Sequence, residues 1–275
     1  MKPLFLALTL GLGIAAAPGW AAPPTAAILA EGLSLYQSER SSWVATDLLM
    51  ASTIDPAQIG GYLSYFRGDS VCTIFWGAGA TGAAGSPLLA SYTFPRQDVR
   101  VATGNRHSVG AFTPQEAQLF SIRQATMAVI NSADGGFNLP ANTSLNVALL
   151  ADKNETRAYV LTGPRQNGIV PIGNDYLLTF SPAGKLRHTE RLHNSYLPMS
   201  WDASKGEVTS MMHSHLEAHP YITPTDICSI LLYKDQIAAR QHCVFGKEYV
   251  SIFDIDKQQL AIITRAAFEK MATKK

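Results

Sequence analysis

His213-Ser-His215-Leu-Glu-Ala-His219-Pro-Tyr-Ile-Thr223-Pro-Thr-Asp226 is the stretch from which the rest of the chain can be read. It follows Val208-Thr-Ser-Met211-Met212, an apolar-leaning approach. If that approach is a strand, alternate side chains share a face, and His213 and His215 point the same way. Thr223 and Asp226 follow His213 by ten and thirteen positions. Neutral imidazole nitrogens and a carboxylate oxygen are the ligand set of an open catalytic zinc site, with three protein donors and a water in the fourth place. A metal so placed lowers the pKa of its water and polarises a carbonyl.

Half of this pattern has a second explanation. Thr223-Pro224-Thr225-Asp226 is a helix start on local grounds: Thr caps, Pro takes the first helical position, and Asp reaches back in a capping box. The same signature stands at Thr113-Pro114-Gln115-Glu116, where no histidine pair precedes it. The two readings are compatible, because a capping hydroxyl that accepts a backbone hydrogen bond still has a proton to donate to an oxyanion.

The spacing His-x-His-x7-[Ser/Thr]-x-x-Asp resembles the signature of the JAMM (MPN-type) zinc metalloproteases. The resemblance implies that His213, His215 and Asp226 hold Zn2+ and that Thr223, with a loop serine such as Ser214, helps to hold a tetrahedral intermediate. Leu216 stands where the family usually has Pro. The family's general base is a Glu at the start of an early strand. Glu155-Thr-Arg-Ala158-Tyr-Val-Leu-Thr-Gly163 is the matching segment, with Ala158 in place of the usual Gly. Glu155 is then the expected base, and Glu116, Glu190, Glu207 and Glu217 are lesser candidates. If Leu145 to Leu150 is instead the family's first strand, no base is present, and the chain is a binding or assembly protein.

The remaining histidines carry less. His215 and His219 flank Glu217 at i and i+4, but Pro220 and the helix start at Thr223 leave no room for a full helix, so His219 is read as a supporting or exposed residue, with replacement of one ligand as the alternative. His107, His188, His193 and His242 have no partner at ligand spacing and read as surface or satisfied polar residues. No Gly-x-Ser-x-Gly elbow is present. Cys228, inside the capped helix, should face away from the metal side, which disfavours a thiol nucleophile.

Composition narrows the class. The 275 residues carry a net charge of +1, and only 16% are charged. No basic tract offers a footprint for nucleic acid or anionic lipid. Residues 1–21 read as a secretory signal peptide, with Lys2, an apolar stretch from Pro3 to Ala17, and Gly19-Trp20-Ala21 before cleavage after Ala21. The expected location is therefore periplasmic or secreted, with no membrane span after cleavage. Three cysteines, Cys72, Cys228 and Cys243, are not a disulfide framework. They read as buried small hydrophobes, or as a Cys228–Cys243 staple with one left over.

In chain order, Thr25 to about Met50 has helical periodicity, and Tyr62–Phe66 and Val71–Trp76 form a hairpin about a Gly-Asp turn. The Gly/Ala-rich 77–85 segment lacks the ending of a phosphate loop. Strands are expected at Pro87–Phe94 and Val99–Thr103, a capped helix from Thr113, and strands at Leu145–Leu150, Ala158–Leu161 and Tyr176–Phe180. The histidine strand, a helix from Thr223 to about Tyr233, strands at Ala238–Val244 and Tyr249–Phe253, and a helix from Lys257 to Met271 complete the order. The expected fold is α+β: a JAMM-like, cytidine-deaminase-like curved mixed β-sheet flanked by helices over 110–275, preceded by a helix-plus-hairpin region at 22–109. The expected function is an exported zinc-dependent hydrolase of a peptide, isopeptide or related amide bond in a peptide or protein substrate. The alternative is a non-catalytic periplasmic binding or assembly protein that retains the fold.

Overall fold

The computed structural model describes residues 22–107, 110–132, 134–200, 208–237 and 239–273. The signal-peptide segment and Glu207 lie outside these described residues. Among the described residues the fold is mixed α+β, with four α-helices and several sheets. No helix among the described residues is long and apolar enough to cross a membrane.

Helix α1 (Thr25–Met50) leads into a four-stranded antiparallel sheet ordered β1-β2-β3-β4: β1 (Ile59–Arg67), β2 (Ser70–Gly77), β3 (Ala90–Pro95) and β4 (Asn105–His107). The β1–β2 turn is the expected one, with Gly68 at φ 59°. The strand expected at Val99–Thr103 is instead a 3-10 turn at Val101–Thr103, closed by the Thr103 hydroxyl on the Asp98 and Arg100 carbonyls. Helix α2 (Pro114–Asn131) starts at the capping box between Thr113 and Glu116.

A second antiparallel sheet, ordered β5-β6-β8-β9, contains β5 (Thr143–Ala151), β6 (Thr156–Pro164), β8 (Tyr176–Phe180) and β9 (Leu186–Arg191). The short β7 (Val170–Gly173) pairs with β10 (Tyr196–Met199) beside it. The third sheet, ordered β11-β12-β13-β14, comprises β11 (Ser210–Ser214), β12 (Gln241–Phe245), β13 (Tyr249–Asp254) and β14 (Gln259–Thr264), with helix α3 (Pro224–Leu232) between β11 and β12. Strands β11 and β12 run parallel, so β11-α3-β12 is a crossover unit of the kind a parallel pair requires. The other pairings in the sheet are antiparallel.

Two expectations are corrected. Among the described residues of 110–275 the β-structure is divided between two four-stranded sheets and one strand pair, rather than forming one curved mixed sheet. The closing helix does not begin at Lys257: Gln259–Thr264 is strand β14, and helix α4 spans only Arg265–Ala272, capped by Thr264. A run of four apolar residues, Leu260-Ala-Ile-Ile263, satisfies either period, and antiparallel pairing with β13 decides for the strand.

The core crosses the line between the N-terminal region and the rest. Ile28, Leu29 and Leu33 of α1 pack with Ile227 and Ile230 of α3, and Val244 and Phe253 belong to the same cluster. Leu63, Ile74 and Trp76 of the first sheet share a core with Leu119 and Ile122 of α2 and with Val147, Val160 and Leu178 of the second. At the closest approach of α1 to α3, Gly32 lies against Ile227, where a Cβ would meet its side chain. This packing holds α3, and with it Asp226, in place.

Candidate metal centre

Four side chains from three parts of the chain converge: His193 just after β9, His213 at the end of β11, His215 just beyond it, and Asp226 in the first turn of α3. Their donor atoms all lie within 4.8 Å of one another. The Nε2 atom of His215 is 2.8 Å from Nε2 of both His193 and His213. Asp226 Oδ1 is 3.3 Å from His193 Nε2 and 3.6 Å from His213 Nε2, and Asp226 Oδ2 is 3.5 Å from His215 Nε2. This buried group could hold a metal ion.

Each member is fixed by its backbone and by a partner behind it. Strand alternation turns His213 and His215 to one side, and the His215 N–H bonds to the Phe245 carbonyl, extending the β11–β12 pairing by one step. Nδ1 of His215 faces the carbonyls of Tyr221 (2.8 Å) and His219 (3.0 Å). Carbonyls only accept, so Nδ1 carries the proton, and Nε2 of the neutral ring is a bare lone pair aimed at the cluster. Nδ1 of His193 lies 3.2 Å from Asp175 Oδ2, a charge contact rather than an aligned hydrogen bond, and the carboxylate favours a proton on that nitrogen. Nδ1 of His213 is 2.8 Å from Nε2 of His242, a fully buried ring on β12. If Nδ1 donates there, three unprotonated Nε2 atoms face one another, an arrangement that repels itself without a positive charge at its centre.

The Asp226 carboxylate is divided between two tasks. Its Oδ2 accepts from the Thr223 N–H and hydroxyl, both at 2.9 Å. The Asp226 N–H donates to Thr223 Oγ1 at 3.1 Å. Its Oδ1 is buried without a hydrogen-bond partner and faces the histidines. A buried acceptor left unpaired in this way is costly unless a cation or proton meets it. Tetrahedral zinc with bonds near 2.05 Å needs its donors about 3.3 Å apart. The close pairs, 2.8 to 3.6 Å, bracket that spacing, and the whole set of donors lies within 4.8 Å.

The electrostatics describe the same centre holding a proton. Burial works against a charged His193, but Asp226 and Asp175 outweigh it and push its pKa up to about 10. Burial lowers His213 to about 4 and His242 to about 3, and it lowers His215 as well. Burial also opposes ionisation of Asp226, but His193, with its neighbours His213 and His215, holds the carboxyl well below its ordinary range. Asp175 is raised by burial, an effect its bonds to His193 and Thr225 only partly offset.

Of the predicted site residues, His213, His215 and Asp226 come together. Thr223 lies beside them, but its hydroxyl hydrogen bonds to Asp226 Oδ2 and to Thr225 Oγ1, so it braces the carboxylate and is not free for an oxyanion. Glu155 is not in the cluster. It sits in the β5–β6 turn, where its backbone N–H bonds to Asp152 and its carboxylate lies 3.8 Å from Arg157. The end of β6 near the cluster is Thr162, whose hydroxyl bonds to Asn174 O, next to Asp175. Seven residues of extended strand separate Glu155 from Thr162, roughly 23 Å. Glu116 is buried in its own capping box and accepts from Tyr65, while Glu217 pairs with Lys247 on the surface. Glu190 lies 3.6 Å from His219 at the rim. The Nε2 atom of His219 faces the Arg191 carbonyl, so His219 contributes its own carbonyl, which steadies His215, and not its ring.

His193 and Asp175 have no signature in the sequence. Asp175 follows Gly173 and Asn174, both at positive φ (81° and 56°). A Cβ at Gly173 would collide with the Ser195 carbonyl, so only glycine lets this turn lie against the His193 segment. The fully buried Asn174 amide donates to Asn138 O and Thr162 Oγ1. A turn this thoroughly bonded is built to present Asp175.

All three cysteines are free and buried, so the Cys228–Cys243 staple is not formed. Over the cluster opens a cleft of about 460 Å³, lined by His193, His213 and His215 and by residues of the 191–197 and 214–219 segments. No protein-family model, no curated protein and no solved structure matches the chain.

Proposed function

We propose that the chain is an exported zinc-dependent hydrolase of a peptide, isopeptide or related amide bond, with the JAMM-type ligand trio His213, His215 and Asp226. The observation that carries this reading is the cleft standing directly over the three imidazoles, because a purely structural zinc site has no use for an approach from solvent. Zinc at this place supplies Lewis acidity and lowers the pKa of a water. In this reading His193 takes the part expected of Glu155. Its Nε2 accepts a proton from the attacking water and returns it to the leaving amine, while Asp175 holds Nδ1–H in position. A metal charge beside Asp226 removes the main support for a resting proton on His193, which frees Nε2 to accept one.

A second reading has its own observation. His193 Nε2 is as close to His215 as His213 is, so all four residues could ligate one ion and leave no open position. The protein would then be a non-catalytic binding or assembly protein with a closed metal centre.

Metal content comes first: tag-free protein should carry about one zinc per chain, and His215→Ala should lose it. Cobalt substitution then separates the readings. An open centre changes its visible spectrum when acetohydroxamate is added, and His193→Gln keeps its metal. A closed centre shows no change with hydroxamate, and His193→Gln loses metal. Absence of zinc from wild type after incubation with it would overturn both.

A further inference from the structure

Large apolar side chains exposed to solvent are few among the described residues, and two of them stand over the metal centre: Leu197 (40% exposed) and Leu216 (65%). Leu197 and Leu216 line the cleft itself, with Ile172 and Ala218. Clustered exposed apolar groups of this kind mark a binding surface. No carboxylate lines the cleft among the described residues, whereas Arg191 does.

Arg191 is held in place rather than free to sweep. Its Nε donates to the His193 carbonyl at 2.9 Å and its Nη2 to the Asn194 carbonyl at 2.8 Å, and its guanidinium lies 5.6 Å from the centre of the Tyr176 ring. Its Nη1 has no partner among the described residues. The guanidinium, tied to the backbone carbonyls of His193 and Asn194, lines the same cleft as the three imidazoles. In the last residue of a peptide, the carboxylate carbon is only two bonds from the nitrogen of the final amide.

We infer that the cleft takes the C-terminal residue of a peptide, with an aliphatic side chain against Leu197 and Leu216 and the α-carboxylate on Arg191. This rests on the hydrolase reading and makes the chain a carboxypeptidase for aliphatic ends. One water is consumed, the last amide C–N bond breaks, the acyl carbon keeps the hydroxyl oxygen as a carboxylate, and the nitrogen leaves as the amine of a free amino acid. Arg191 is a positioning residue for this substrate.

The test is binding to zinc-loaded protein, by calorimetry, of 2-sulfanyl-4-methylpentanoic acid, its carboxamide, and sulfanylacetic acid. The thiol seeks the metal in all three. The acid should bind at least tenfold more tightly than its carboxamide and at least tenfold more tightly than sulfanylacetic acid, which lacks the side chain. Arg191→Gln should abolish the first difference, and Leu216→Asp should reduce the second. Because Arg191 also bonds to the His193 segment and an α-sulfanyl acid can itself chelate zinc, each variant is compared at matched zinc content, and an acid preference that survives Arg191→Gln counts against the inference. Equal affinity of acid and carboxamide in zinc-loaded wild type overturns the inference and leaves the hydrolase reading standing. A chain that holds no zinc removes that reading instead.

Discussion

Asp175 Oδ2 lies 3.2 Å from Nδ1 of His193, both side chains are buried, and Nε2 of the same ring is 3.3 Å from Asp226. One imidazole thus bridges a carboxylate behind the centre and a carboxylate within it. Asp175→Asn keeps the shape but offers an amide that can present N–H to Nδ1, which favours the wrong tautomer. Removing such a supporting partner from a metal-ligating histidine lowers affinity about 10- to 100-fold. If His193 is a ligand, zinc affinity measured against a competing chelator should fall by that range. If His193 is the proton acceptor, affinity should change little and turnover should fall.

Metal uptake should release a proton. His193 is held up to about 10 by Asp226 and Asp175, so it is protonated at pH 8, and a cation at the centre displaces that proton. Calorimetric titration of zinc in two buffers of different ionisation enthalpy should give close to one proton released per metal at pH 8. His193→Gln should reduce the release to near zero. Equal heats in the two buffers for wild type would contradict this assignment.

The metal-free protein should lose stability on both sides of pH 6.5. His213 and His242, lowered to about 4 and about 3, stay neutral in the fold while the unfolded chain takes up protons. Their contribution is present above the unfolded value of 6.5 and is lost as pH falls through about 4 to 3. His193 works the other way: its contribution is present below 6.5 and declines as pH rises toward 10. Urea midpoints should therefore fall from pH 6.5 to 4, and His242→Gln should flatten part of that acid limb.

Thr223 separates bracing from catalysis. Thr223→Ala removes both the cap of α3 and the hydroxyl on Asp226, and should cost about 1–2 kcal/mol in unfolding free energy. Zinc affinity should drop with it, because Asp226 is then less well aimed. Thr223→Ser retains the hydroxyl and should restore both. Unchanged stability and affinity in the alanine variant would show that the cap is dispensable.

Local chemistry in the sequence carried a good part of this structure. Thr113-Pro-Gln-Glu116 and Thr223-Pro-Thr-Asp226 both mark helix starts, since a capping box is satisfied within four residues. The hairpin at Arg67-Gly-Asp-Ser70 follows from its turn. The short β7, β9 and β10 were not legible: Val170-Pro-Ile-Gly173 has too few residues to show a period, and β9 and β10 are largely polar or exposed. At β14 the apolar run fits helix and strand alike, and only its antiparallel partner β13 decides. Glu155 was chosen by a pattern at the start of a strand, but a strand has two ends, and the centre lies by the other one.

His213, His215 and Asp226 were available to the sequence because they lie within fourteen residues, on one strand end and one capped helix whose geometry is local. His193 lies twenty residues before His213, Asp175 thirty-eight before it, and His242 twenty-nine after it. None stands at a diagnostic spacing, since each is brought in by a different chain segment: the exit of β9, a glycine-dependent turn, and a strand paired in parallel with β11. Spacing along the chain can name ligands that share an element. Which imidazoles complete the centre, and which groups set their tautomers, depends on how separate elements pack, and that information resides only in the tertiary structure.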